Sequence, residues 1–103
     1  MAAKEDGFLA AREAQWTAME ALGIPTVRMR NEAQKLGAAE AARRCLSGRR
    51  CSDGFDRLAQ AGQLKLSLEA LALEPAWGSL FTDDQANEAV ARLMEAGYDF
   101  LRK

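Results

Sequence analysis

The residues best suited to chemistry lie in one stretch, AAEAARRCLSGRRCSDGFDRL, at positions 38–58. Its reactive groups are two adjacent arginine pairs and two cysteines: Arg43, Arg44, Arg49, Arg50, Cys45 and Cys51. Guanidinium groups bind phosphates and carboxylates, and a thiolate is both a nucleophile and a metal ligand. The stretch therefore suggests three hypotheses: a nucleic-acid or acidic-protein contact, a metal or disulfide clip, or the solvated end of a helix.

Catalytic and metal chemistry find little support in the rest of the sequence. The chain has no histidine, the commonest general base and metal ligand. A zinc site takes four ligands, and the two cysteines have no second pair to join them. Asp83 and Asp84 are adjacent, but the start of a helix explains both. We expect no metal, no cofactor and no catalytic residue, so the protein is not predicted to be an enzyme.

The near-neutral total charge of −1 conceals a basic centre. Residues 28–65 carry nine basic and four acidic groups, which gives +5, whereas residues 1–27 carry −2 and residues 66–103 carry −4. A block of like charge raises the local potential and attracts phosphates or an acidic protein surface. The alternative is a solvated helix face with no ligand. Glu40 with Arg44 and Asp53 with Arg57 are i, i+4 pairs, and such ion pairs would account for these charges by themselves.

Composition determines the class of element that must position these groups. Alanine occurs 21 times and leucine 13 times, whereas valine, isoleucine and threonine together occur six times. Helix-forming residues therefore dominate, and the β-branched residues typical of strands are scarce. We expect an all-α fold, a small bundle of five or six short helices, in a single helical domain over residues 1–103.

In the N-terminal half, apolar spacing and glycines predict four helices. An apolar stripe predicts the first over about 5–22, ended by Gly23 and Pro25. Thr26 is expected to cap a second helix that breaks at Gly37. A third runs over about 38–47, with Gly48 as a left-handed cap. A fourth, capped by Ser52 or Asp53, stops at Gly62. The stripe of the first helix comprises Phe8, Leu9, Trp16, Met19 and Leu22.

The C-terminal half contains the one ambiguous segment. Leu64, Leu66 and Leu68 alternate as in a strand, so residues 62–68 are either extended or helical, and we expect an extended segment followed by a helix over 67–74. Pro75 opens a short helical turn whose Trp77, Leu80 and Phe81 are expected in the core. Thr82 and Gln85 form a capping box that starts the last helix, which Gly97 ends.

Arg12 interrupts the apolar stripe of the first helix, one turn from both Phe8 and Trp16. One interpretation is that its side chain extends along apolar neighbours or stacks on Trp16. The other is an exposed arginine and tryptophan cluster, a composition favoured at interface hot spots. Of the two cysteines, Cys45 is expected to be a buried small residue, and Cys51 the more acidic thiol.

The leading functional hypothesis is a non-catalytic helical module that binds another macromolecule as an adaptor, regulator or inhibitor. A protein partner is favoured over nucleic acid, and one version of the hypothesis gives that protein an acidic surface. The candidate partner-binding residues are Arg43, Arg44, Arg49, Arg50, Arg57, Arg12 and Trp16. One alternative is a helix-turn-helix DNA-binding regulator that contacts phosphates through residues 28–65. Positions 38–42, however, contain no side chain that can donate two parallel hydrogen bonds to a base, as an arginine does. Another is a self-associating subunit whose apolar stripe is covered by a copy of itself.

The sequence also leads us to expect a cytoplasmic location. No apolar run approaches the roughly 18–20 residues needed to span a bilayer, so no membrane contact is expected. The N-terminal residues MAAKEDG lack the basic and apolar regions of a secretory signal. Two cysteines without such a signal are typical of a reducing compartment.

Overall fold

The alanine- and leucine-rich sequence folds into short helices joined by tight turns. The computed structural model of the chain describes residues 2–98, with side chains from residue 4 onward. The α-helices are α1 (Ala2–Ala21), α2 (Val27–Leu36), α3 (Ala38–Ser47), α4 (Phe55–Gln60), α5 (Leu68–Ala72) and α6 (Asp83–Glu95), and 3-10 helices cover Leu64–Leu66 and Pro75–Leu80. These residues contain no strand, which confirms the predicted all-α bundle. Within them, no helix combines the length and apolar character that crossing a membrane requires.

Glycine divides α2 from α3, as predicted. Gly37 has a φ of 86°, a left-handed conformation that only glycine adopts without strain, and the two helices pack against each other across it. Gly48 was wrongly predicted to be left-handed: its φ is −85° and its backbone is extended. Thr26 precedes α2 but does not cap it, because its hydroxyl donates to the Glu20 carboxylate instead.

The start of α4 differs from the prediction. Gly54, and neither Ser52 nor Asp53, precedes the helix, with a φ of 80°. A Cβ at Gly54 would lie 2.8 Å from both Ile24 Cγ2 and Met19 Cε, so the close approach of this turn to α1 requires glycine. The predicted stop at Gly62 is confirmed by its φ of 70° after the end of α4.

The ambiguous segment before α5 is helical, and the prediction of an extended conformation was wrong. Residues Leu64–Leu66 form a 3-10 turn, and the Ser67 hydroxyl donates to Leu64 O (2.7 Å) and accepts from Ala70 N (3.2 Å). This turn buries Leu64 and starts α5 at once. An extended segment would have left its amide groups without a neighbouring strand to pair with.

The last helix has the predicted capping box. Thr82 Oγ1 accepts from Gln85 N at 3.1 Å, and Gln85 Oε1 accepts from Thr82 N at 3.0 Å. The short turn that Pro75 opens is also confirmed, as a 3-10 helix. The rings of Trp77 and Phe81 are half-buried, and each packs edge-to-face on Phe8, with ring centroids 5.8 and 5.6 Å apart.

Two buried clusters form the core and meet at α1. The first brings Phe8 of α1 against small and apolar residues of α3, α5 and α6, including Ala39, Leu46, Leu68 and Ala89. The second surrounds Trp16 and Met19 with residues from α4 and α6, including Phe55, Leu58 and Leu93. Because the α3 residues in the core are mostly alanines, α3 lies close to α1.

Candidate functional site

A cavity of about 440 Å³ opens between α1, α2, α3 and the loop that follows α3. Five arginines line it: Arg12, Arg28, Arg44, Arg49 and Arg50. Two acidic side chains, Glu32 and Asp53, also line it. We call this cavity the arginine cleft. Its volume lies in the range of about 300–1,000 Å³ that is typical of ligand-binding sites.

The wall between these charges is apolar. It contains small and flexible residues of α2 and α3 with one leucine of α5: Met29, Ala33, Ala38, Ala41, Ala42 and Leu68. Trp16, both cysteines, Gly48 and Ser52 complete the lining. A ligand in the cleft therefore meets a strongly cationic rim and an aliphatic wall, which together suit an anionic group carried on a short apolar stem.

The rim arginines differ in how much of their charge is already paired. Arg44 Nε lies 3.1 Å from Glu40, and Arg28 Nε lies 3.6 Å from Asp53, both in exposed pairs that add little stability. Arg49 and Arg50 are exposed, and neither has a carboxylate at ion-pair distance in the described part of the chain. Their charges are available to a partner.

A buried ion pair holds the loop that carries Arg49 and Arg50. Arg92 of α6 donates from Nη1 to Glu69 Oε2 of α5 at 3.0 Å, and both side chains are nearly inaccessible. Its Nη2 also donates to the carbonyls of Cys45 (3.2 Å) and Gly48 (3.1 Å). On the other side, Ser52 donates to Glu69 from its amide (2.9 Å) and its hydroxyl (2.6 Å). The loop is thus anchored on both sides of Arg49 and Arg50.

The charge of Arg92 is fully compensated. Desolvation lowers its pKa, but hydrogen bonds to Glu88 and Glu69 outweigh that effect, so the pKa of Arg92 is raised above its ordinary value. The Glu88 contact is 2.7 Å, one turn away on α6. Since Glu69 accepts from three donors and Arg92 donates to four acceptors, all within the chain, the pair is a structural anchor.

Arg12 is the second buried arginine, and its surroundings are different. Only 5% of it is exposed, and its guanidinium carbon lies 5.1 Å from the centre of the Trp16 ring. Nη1 donates to Gln15 Oε1 at 2.6 Å and Nη2 to Met29 Sδ at 3.4 Å. Gln15 is itself fixed, because its Nε2 donates to Ser67 O at 2.8 Å. No carboxylate of the described residues forms an ion pair with Arg12.

The pKa of Arg12 reflects this incomplete compensation. Burial lowers it from the ordinary value of an arginine to about 10, and Cys45 and Glu69 only partly oppose the shift. Because folding lowers the pKa of this base, its charge destabilises the folded chain at every pH below about 10. The shift corresponds to about 3 kcal/mol, a penalty that disappears only as pH rises from about 10 to the ordinary pKa of an arginine.

Trp16, beside Arg12, carries a buried donor without a partner. Its indole Nε1 is the only buried side-chain nitrogen or oxygen of the described residues that has no hydrogen-bond partner. Trp16 is 3% exposed and lines the arginine cleft beside Arg12. Leaving a buried donor unpaired costs about 1–3 kcal/mol. Trp16 therefore has a donor without an acceptor, next to Arg12, whose charge has no carboxylate partner among the described residues.

Both cysteines line the cleft, and neither is activated. Burial raises the pKa of the half-buried Cys45 thiol, with Glu69 adding to the effect. The pKa of the exposed Cys51 thiol is also raised, first by desolvation and then by Glu69. Neither thiol is therefore made acidic by the arginines around it, and the prediction that Cys51 is the more acidic of the two stays a prediction. Within residues 2–98, no three His, Cys, Asp or Glu side chains are grouped to hold a metal ion.

The structure separates the predicted partner-binding residues. Arg44, Arg49, Arg50, Arg12 and Trp16 line the arginine cleft, but Arg12 and Trp16 are buried there, so the hypothesis of an exposed cluster was wrong. The alternative, that Arg12 stacks on Trp16, is confirmed.

The remaining two candidates lie outside the cleft. Arg43 points to the other side of α3, where Nε donates to Leu80 O at 2.7 Å and the guanidinium pairs with Glu40 and Glu5. Arg57 lines a smaller hollow of about 300 Å³ with Pro25 and Val27. The expected Asp53–Arg57 pair is absent among the described residues, since Asp53 pairs with Arg28, while the expected Glu40–Arg44 pair is confirmed.

Sequence reasoning did not identify the residues that hold the lining of the cleft in place, which are Glu69, Arg92, Gln15 and Ser52. Glu69 and Arg92 are each adjacent in sequence to a core leucine, Leu68 and Leu93, and this adjacency was the sequence signal that could have indicated their burial. Their pairing across 23 positions depends on how α5 packs on α6, which spacing alone does not reveal.

Comparison with known proteins adds no assignment. No protein-family model matches the chain, and neither the curated proteins nor the solved structures include a significant match.

Proposed function

We propose that this chain is a non-catalytic helical module that binds an acidic segment of another protein in the arginine cleft. The observation that carries the proposal is the grouping of five arginines around one cavity, with Arg49 and Arg50 unpaired within the described residues. A cleft lined by one sign of charge concentrates ligands of the opposite sign and speeds their association. The buried Glu69–Arg92 pair supports this role, because it holds the Arg49–Arg50 loop in place.

A protein segment fits this cleft better than duplex DNA does. Phosphate contacts require an open basic surface, whereas here Glu32 and Asp53 alternate with the arginines and the wall is apolar. A helix-turn-helix also inserts the first residues of its second helix into the major groove. The first residues of α3 are not available for that purpose, since Ala38, Ala39 and Ala42 are buried in the core.

Self-association has less support than partner binding. The apolar stripe of α1, which such a subunit would cover with a second copy, is already occupied within the chain: Phe8, Trp16 and Met19 are all buried. The large exposed hydrophobic residues of the described region are Leu22, Val27 and Met94, and the arginine cleft contains none of them. We therefore assign the cleft to a partner of different chemistry.

Fluorescence anisotropy with defined peptides tests the proposal. A labelled Glu–Ala repeat peptide should bind at low salt, and a Gln–Ala repeat of the same length should not. Charge reversal of the free rim arginines, in the double variant R49E/R50E, should weaken binding by at least roughly tenfold, since each rim contact contributes about 0.5–1 kcal/mol to attraction and reversal adds repulsion.

Lys65→Glu is the matched control, because Lys65 is exposed and lines neither cavity. It reverses one charge elsewhere, a change of two units against four in the double variant, and should leave peptide affinity unchanged; the single variant R49E, which matches it in charge, should still weaken binding. Equal weakening by both variants, or tighter binding of duplex DNA than of the acidic peptide, would contradict the proposal.

A further inference from the structure

The arginine cleft is lined by a buried guanidinium, Arg12, that uses only two of its five N–H groups within the described residues, and by Trp16, whose buried indole Nε1–H has no acceptor there. We propose that Arg12 is the receptor for a single carboxylate, supplied by a glutamate side chain of the acidic partner segment. This inference rests on the proposed function and specifies it further: the exposed rim arginines attract the segment, and Arg12 selects one of its side chains.

Hydrogen-bond capacity is the first argument. A guanidinium has five N–H groups, and only two of those on Arg12 have acceptors among the described residues. One of the two acceptors is the Met29 sulfur, which is a weak acceptor that a carboxylate oxygen can replace. Arg12 thus retains three N–H groups without an acceptor among the described residues, although only 5% of the residue is exposed.

Orientation is the second argument. The Gln15 side chain is held by Ser67 O and in turn accepts from Arg12 Nη1, while the guanidinium stacks against Trp16 at 5.1 Å. These contacts fix the plane of the group before any ligand arrives. A planar, preorganised guanidinium matches the two oxygens of a carboxylate and loses little freedom on binding it.

The surrounding cleft favours a glutamate over a phosphate group. The wall beside Arg12 is aliphatic, formed by Met29, Ala33 and Leu68, and suits the two methylene groups of a glutamate. Glu32 and Asp53 line the same cavity and would repel a dianionic phosphate more strongly than a monoanionic carboxylate. The unpaired indole Nε1–H of Trp16, whose ring lies against Arg12, is an additional donor on this wall.

Arg12→Met is the central variant, and Arg30→Met is its matched control. Both replace a guanidinium that lies over the Trp16 ring, at 5.1 Å for Arg12 and 5.2 Å for Arg30. Only Arg12 lines the cleft, while Arg30 pairs with Glu20 outside it. We expect Arg12→Met to weaken binding of the Glu–Ala peptide roughly 30-fold, the loss typical of one charge-assisted hydrogen-bonded contact. Arg30→Met should change affinity less than about twofold.

Arg12→Lys provides a second test, which does not depend on whether the Arg12→Met variant folds. It keeps the charge but loses the planar fork, so binding should weaken roughly tenfold. Wild-type affinity in Arg12→Lys and in a folded Arg12→Met would overturn the assignment. A loss in Arg30→Met equal to that in Arg12→Met would also overturn it, since the effect would then come from the tryptophan ring.

Small probes distinguish failure of this inference from failure of the proposed function. Sodium glutarate should raise the melting temperature of the wild type above that in sodium chloride of equal ionic strength, but should not do so for Arg12→Met. Binding of glutarate without binding of the peptide would contradict the proposed function and support Arg12 as a carboxylate receptor. Peptide binding that depends on Arg49 and Arg50 but not on Arg12 would support the proposed function and contradict the role of Arg12. Stabilisation by inorganic phosphate alone would overturn the carboxylate assignment.

Discussion

Arg12 and Arg92 are equally buried, at 5% exposure each, yet they occupy opposite kinds of environment. Arg92 faces two carboxylates and two backbone carbonyls, all within the hydrogen-bond range of 2.7–3.2 Å. Arg12 faces an amide oxygen, a thioether and an aromatic ring. Burial opposes both charges, and the response of the pKa is opposite: raised for Arg92 and lowered for Arg12.

The difference shows how a buried charge can be assigned to structure or to function. A charge whose acceptors all come from its own chain stabilises one conformation and leaves nothing for a ligand. A charge that remains underpaired is a cost to folding, and an anionic ligand can remove that cost when it binds. The α5–α6 side of the molecule thus contains the fully paired arginine, and the α1–α3 side contains the underpaired arginine that we propose as the receptor.

The largest expected effect is the loss of the Glu69–Arg92 pair. Arg92→Met leaves the Glu69 carboxylate buried without its cation, so we expect the free energy of unfolding to fall by about 3–5 kcal/mol. Urea denaturation followed by circular dichroism measures this change. Replacing Glu69 as well, in R92M/E69M, removes the unpaired carboxylate but also the acceptor of the Ser52 amide and hydroxyl, so the loss should be smaller than the sum of the losses in R92M and E69M. Losses that simply add would show that the two residues do not act as a pair.

The same substitution at Arg12 should have a far smaller effect on stability. Arg12→Met removes a desolvation penalty of about 3 kcal/mol but also the Gln15 contact and the Trp16 stacking, worth about 1–2 kcal/mol each. We expect a free energy of unfolding within about 1 kcal/mol of the wild type. A loss as large as that of R92M would mean that Arg12 is structural too, and the contrast between the two arginines would collapse.

Ser52→Ala should loosen the loop without breaking the Glu69–Arg92 pair. It removes the hydroxyl that donates to Glu69 but keeps the amide donor, so the expected cost is about 1 kcal/mol. Amide hydrogen exchange should accelerate at Arg49, Arg50 and Cys51 in this variant. Ser79→Ala, a change at an exposed serine on the second 3-10 helix, serves as the control. Unchanged exchange in the loop would show that Glu69 does not anchor it.

Cysteine reactivity gives the smallest and simplest test. Because the pKa of both thiols is raised, alkylation by iodoacetamide should be slow near neutral pH and should accelerate about tenfold per pH unit until the thiols ionise. Cys51 should react before the half-buried Cys45. Bound Glu–Ala peptide should protect Cys51, because this residue lines the cleft. Rapid alkylation of Cys51 at neutral pH in the presence of saturating peptide would contradict that placement.

Sequence reasoning predicted the features that are determined by neighbouring residues. The capping box of Thr82 and Gln85, the break at Gly37 and the proline-led turn at Pro75 each depend on a few consecutive positions, and each is confirmed. The stacking of Arg12 on Trp16 is similarly local, since the two residues are one helical turn apart.

The errors arose where a distant group competes for a side chain. Ser52 was predicted to cap α4, but Glu69 takes both its hydroxyl and its amide. Thr26 was predicted to cap α2, but Glu20 takes its hydroxyl. The cleft itself could not be predicted as a cavity, because Arg12, Arg28 and the arginines after α3 come together only when three helices pack.

The most direct test of the account is a nuclear magnetic resonance titration that follows the arginine Nε–H and tryptophan Nε1–H signals while Glu–Ala peptide is added. The account predicts large shifts for Arg12 Nε and Trp16 Nε1 and an unchanged signal for Arg92 Nε. Shifts confined to Arg49 and Arg50, or a shift at Arg92 as large as that at Arg12, would contradict it.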